Sequence, residues 1–103
     1  MDLKRFEETR TVLRKMIPVA RRILGEDSSQ MLGLRLNYAR ALYNDPAATL
    51  DAIREAVETC EDLARTARRV LGGSNPLTVQ IELSLRIASL LQVPGVAAAR
   101  GRV

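Results

Sequence analysis

Few side chains in this 103-residue chain are of types that perform reactions. Cys60 is the one cysteine, and there is no histidine. A Cys–His nucleophile and any histidine-bearing metal site are therefore excluded within the chain. A lone thiol cannot close an internal disulfide, which points to a reducing compartment, the cytoplasm. Cys60 falls on the apolar stripe of a helical pattern, so it reads as a small core residue rather than a nucleophile. Glu58, Glu61 and Asp62 bring three carboxylates together. Hard cations bind such oxygens, but acids at this spacing are also the ordinary solvated face of a helix, and that reading is preferred. Ser28-Ser29 stands where a helix cap is expected, and Gly72-Gly73 lacks the lysine of a phosphate loop. No catalytic, cofactor or metal site is expected, and the chain is read as not an enzyme.

Composition limits the partners. The formal net charge is +4. It is carried mostly by arginine, lysine occurring only at Lys4 and Lys15. The basic pairs Arg21-Arg22 and Arg68-Arg69 fall near helix C-termini, where cations face the macrodipole favourably. Aromatic platforms for stacking bases are missing, since Phe6, Tyr38 and Tyr43 are the only aromatic residues. Nucleic acid is thus an unfavoured partner. No apolar run approaches membrane-spanning length, so no membrane partner is expected. Met1 leads into a charged amphipathic segment, so no signal peptide is expected.

The elements that must position these residues are helical. Residues 3–24 repeat apolar side chains with the period of an amphipathic helix, with Asp2 as a plausible cap, Gly25 as a stop and a kink expected near 14–18 from Pro18. A second helix is expected over 29–43 behind Ser28. A third is expected over 50–71, capped by Thr49 or Asp51 and striped by Leu50, Ile53, Val57, Cys60, Ala64, Ala67 and Leu71. A fourth is expected over 77–91, with Asn75 as cap and Pro76 at the first helical position, where its missing N–H is harmless. Residues 1–92 form the helical domain and 93–103 read as a disordered tail, or as an arm for an acidic surface.

One ambiguity stands in the second and fourth segments. Leu77, Val79, Ile81, Leu83, Leu85 and Ile87 alternate with polar residues, and Leu32, Leu34, Leu36 and Tyr38 alternate likewise. Alternation is a strand pattern, so an α+β fold with strands near 31–38 and 77–87 is the alternative to an all-α fold. The Asn-Pro start, the segment lengths and the two apolar faces of a sandwiched helix favour all-α.

The chain also repeats itself. Ala20-Arg21-Arg22-Ile23-Leu24-Gly25 returns as Ala67-Arg68-Arg69-Val70-Leu71-Gly72, an offset of 47 residues. A fixed offset marks a helical repeat. The stretch Arg68-Arg69-Val70-Leu71-Gly72-Gly73-Ser74-Asn75-Pro76-Leu77-Thr78 resembles the junction between tetratricopeptide repeats of the kinesin-light-chain type. Asn37-Tyr38-Ala39 with Leu42-Tyr43 is similar to that family's first helix, and Glu55-Ala56 to the opening of its second. The resemblance covers roughly residues 12–88. The offset exceeds the usual tetratricopeptide period of about 34 and falls within the HEAT-type range. The excess lies between Tyr43 and Glu55. Ser29 stands where the family prefers proline, and Ser84 and Arg86 depart from its first-helix pattern.

The resemblance implies four antiparallel helices arranged as helical hairpins, a short right-handed solenoid fragment of about one and a half to two repeats. Such a piece must close into a compact four-helix cluster, associate with copies of itself, or remain marginal. It further implies a concave face for an extended peptide. By position this face takes Leu36, Asn37, Arg40, Tyr43 and Asn44 from the second helix. It takes Gln80, Leu83, Ser84 and Ile87 from the fourth. Asn37 would hold a peptide backbone, Arg40 a carboxylate, and Tyr43 an aromatic anchor. The function implied is a protein–protein interaction scaffold for a peptide or partner protein, acidic by charge. The alternatives are a basic module for nucleic acid or an anionic surface, and a homo-oligomer formed through uncovered apolar helix faces.

Overall fold

A computed structural model describes residues 3–93, 95 and 96, and no strand occurs among them. Four helices follow one another: α1 (Leu3–Leu24), α2 (Ser29–Asn44), α3 (Leu50–Val70) and α4 (Pro76–Leu91). The fold is all-α, and the strand alternative at 31–38 and 77–87 falls inside α2 and α4. The alternating patterns arise because α2 packs against α1, α3 and α4 at once. In α4, Ile81 is fully buried while Val79 and Leu83 face outward. Asp2 and most of 93–103 lie outside the described residues.

Local chemistry sets the boundaries. Ser28 Oγ accepts the Met31 N–H at 3.1 Å, Thr49 Oγ1 accepts that of Ala52 at 3.1 Å, and Asn75 Oδ1 accepts that of Leu77 at 2.9 Å. Each cap satisfies an N–H that the first helical turn leaves without a partner. Thr49, not Asp51, therefore caps α3. Gly25 and Gly72 occupy the left-handed region at φ 82° and 87°. They end α1 and α3 at equivalent points of the internal repeat, and glycine takes this conformation without steric penalty. Helical backbone runs unbroken through Pro18.

The contacts run in chain order. α1 packs on α2, α2 on α3 and α3 on α4, with a smaller contact of α2 on α4. Among the described residues the backbone of α1 comes close to that of α2 but not to that of α3 or α4. One apolar cluster joins Leu13 of α1 to Tyr38, Ala39, Leu42 and Tyr43 of α2 and to Cys60 of α3. A second joins Leu32 and Leu36 of α2, Leu63 and Ala67 of α3 and Ile81 of α4. Among the described residues α2 packs against all three other helices, which makes it the centre of the fold.

Candidate functional site

Three of the nine residues expected on a binding face are core instead. Leu36, Tyr43 and Ser84 are each almost wholly buried. Leu36 packs in the second apolar cluster. The Tyr43 hydroxyl donates to Ser84 Oγ at 3.1 Å in the interior. The physical reason is helix rotation: Leu36 and Tyr43 of α2 and Ser84 of α4 face the interior rather than a ligand surface.

Three others converge. Asn37, Arg40 and Asn44 recur at three- and four-residue spacing and line one side of a groove between α1 and α2. Its other side is Phe6, Val12 and Leu13 of α1, and its volume is about 540 Å³. The floor is apolar, and the edge offers two amides and a guanidinium. Amide groups match a peptide backbone, and a guanidinium matches a carboxylate. Glu8 and Thr9 also border it.

The remaining three, Gln80, Leu83 and Ile87, are exposed on α4. They line a different surface from the α2 trio.

The α1 wall was not anticipated from the sequence. Its signal was present: Val12, Met16, Val19 and Ile23 form a second apolar stripe at helical spacing, and all four are exposed. The C-terminal half of that stripe borders another apolar hollow with Lys15, Ala20 and Leu34. α1 thus carries two apolar faces, one against α2 and one against solvent.

Polar contacts fix the helices beside this groove. Arg10 Nη1 donates to the buried Asp45 Oδ2 at 2.9 Å, and Asp45 Oδ1 accepts the Ala47 N–H at 2.8 Å. Asp45, in the turn between α2 and α3, is therefore also the anchor of α1. Arg14 Nε donates to the Tyr38 hydroxyl at 3.1 Å, and that hydroxyl donates to Glu55 Oε2 at 2.6 Å. Burial and the bond to Glu55 together raise the Tyr38 pKa above its ordinary value.

Reactive groups are quiet. Cys60 is fully buried, and burial pushes its thiol up to about 11, which disfavours the nucleophilic thiolate. Asp62 is engaged by Arg35 at 2.8 Å and Arg65 at 3.6 Å. Among the described residues no cluster of three or more His, Cys, Asp or Glu side chains is placed to hold a metal ion. No described helix is long and apolar enough to cross a membrane.

No family model matches the chain, and no curated protein or solved structure matches it significantly.

Proposed function

We propose that this chain is a non-enzymatic protein–protein interaction module of the tetratricopeptide kind, binding a peptide segment that carries acidic side chains. The observation that carries this reading is the convergence of Asn37, Arg40 and Asn44 on one groove floored by Phe6, Val12 and Leu13. The contact order supports the repeat register. α1 and α3 take the place of second helices, α2 and α4 of first helices, and the smaller α2–α4 contact is that between successive first helices. A buried free thiol at Cys60 suits a reducing compartment such as the cytoplasm.

Charge pairing favours protein over nucleic acid as the partner. Arg10, Arg21, Arg35, Arg54, Arg65, Arg68 and Arg69 each face a carboxylate of the same chain. Phosphates would have to compete with those partners.

The test is a fluorescence-anisotropy titration with a pool of extended Asp- and Glu-bearing peptides. Arg40→Ala should weaken binding by about tenfold, the loss of one charge-assisted hydrogen bond. Unchanged binding in both Arg40→Ala and Asn37→Ala would overturn the groove. So would affinity confined to oligonucleotides and falling steeply with salt.

A further inference from the structure

The internal repeat pairs Leu3–Ile23 of α1 with the residues of α3, Leu24 with Leu71 just past it, and every residue of α4 with one of α2. α2 and α3 form a complete hairpin of 16 and 21 residues. α4 has 16 residues and α1 has 22, so the two outer helices have the lengths of the two halves of another such hairpin. Among the described residues of one chain their backbones do not come close.

The faces that would join are the ones left open. In the intact hairpin Leu32 and Leu36 of α2 meet Leu63 and Ala67 of α3, inside one cluster. Their equivalents are Val79 and Leu83 of α4, and Met16 and Ala20 of α1. Leu32 is 0% exposed and Val79 52%; Leu36 is 2% exposed and Leu83 55%; Leu63 is 0% exposed and Met16 45%. All four outer equivalents are apolar, so the steric and chemical pattern of the hairpin is kept on surfaces that lack its burial.

Charge is kept as well, with the signs exchanged. Arg35 of α2 bonds Asp62 of α3 at 2.8 Å. The equivalents are Glu82 of α4 and Lys15 of α1. A reversal on both sides preserves the attraction, whereas a reversal on one side would oppose it. Glu82 already accepts from Arg68 at 2.8 Å, and a carboxylate retains room for a second donor. Arg86 replaces the buried Ala39, the least favourable exchange on this face. It is answered by Glu8, the equivalent of Glu55, whose carboxylate in the intact hairpin reaches Tyr38, the neighbour of Ala39.

We infer that α4 of one copy docks along α1 of a second copy, so that the two outer helices complete a hairpin between chains. The contact is heterologous, head to tail, and extends into open oligomers because each copy keeps one free donor face and one free acceptor face. The docked helix lies along the outer face of α1 at Lys15, Met16 and Ala20, beside the α1–α2 groove, so the inference rests on the reading of this side of the molecule as a protein-binding surface and names a second copy as its occupant.

Sedimentation velocity over a concentration series tests it. The wild type should grow past a dimer as concentration rises. Met16→Glu, which blocks the acceptor face, and Leu83→Glu, which blocks the donor face, should each remain a single chain, with circular dichroism confirming retained helix. An equimolar mixture of the two should form a dimer and stop there, since one intact donor meets one intact acceptor. Lys15→Glu and Glu82→Lys should each weaken assembly several-fold, and the double exchange in one chain should restore it. Assembly lost in Leu83→Glu but intact in Met16→Glu means that α4 pairs with α4, and overturns the inference. A wild type that stays monomeric throughout also overturns it. Peptide binding through Arg40 in that same monomer would leave the peptide groove standing by itself.

Discussion

The Tyr43 hydroxyl donates to Ser84 Oγ across 3.1 Å, with both side chains buried between α2 and α4. It is a buried side-chain link between two helices that are equivalent in the internal repeat. Tyr43→Phe removes the donor and leaves the serine hydroxyl short of a partner, which should destabilise by about 1–2 kcal/mol. Adding Ser84→Ala removes the stranded group, so the double variant should lose less than the sum of the two single losses. Urea denaturation midpoints of the four proteins decide this. Strict additivity would mean that the two hydroxyls do not couple.

Cys60 makes stability depend on pH in the alkaline range. Burial raises its thiol from an ordinary 9.0 to about 11, with Arg40 opposing part of that rise. The folded chain then holds the proton more tightly than the unfolded chain. The associated stability is fully present below pH 9.0 and is lost as pH climbs through about 11. The loss amounts to about 2–3 kcal/mol. Cys60→Ala should remove this component, so the gap between wild type and variant should narrow across that range under reducing conditions. A gap that stays constant would show that the thiol titrates as it does in the unfolded chain.

Two glycines should respond in opposite directions to the same substitution. Gly33 lies inside α2 with ordinary helical φ, and an added methyl would meet nothing within 4 Å. Gly33→Ala should therefore stabilise by about 0.5–1 kcal/mol. Gly72 is equally uncrowded but sits at φ 87°. Gly72→Ala should destabilise by about 1 kcal/mol or more, because an L-side chain strains in that conformation. Thermal unfolding of the two variants separates backbone strain from packing, and equal shifts of one sign would contradict the argument.

The helices were legible because their ends carry local chemistry. Ser28, Thr49 and Asn75 cap through their own side chains, and Gly25 and Gly72 stop helices through their own backbone freedom, so no tertiary knowledge was needed. The interior of α2 was harder to read. A helix covered on several sides carries apolar residues all round, and no periodicity then says which of Leu36, Tyr43 and Asn37 points outward. Buried Ser84 misled for a related reason: a serine looks like surface until its partner Tyr43, 41 residues away, is placed against it. The α1 wall of the groove was legible but passed over, because Val12 and Val19 fall off the main stripe of that helix. The Arg10–Asp45 pair, 35 residues apart, depends on the α1–α2 packing and had no local signature.

Contacts that follow chain order also govern how the molecule comes apart. A helix held by a single neighbour can leave without dismantling the rest, and α1 is such a helix. Its release would uncover Leu13 and free Arg10 from Asp45, yet it would leave the cluster of Leu32, Leu36, Leu63 and Ile81 untouched. Opening therefore proceeds in steps of unequal depth, from the outer helices inward to α2 and α3. The same locality shortens the search in the other direction. Each helix packs mainly on the one just before it, and such local contacts are the arrangement that lets a chain fold quickly.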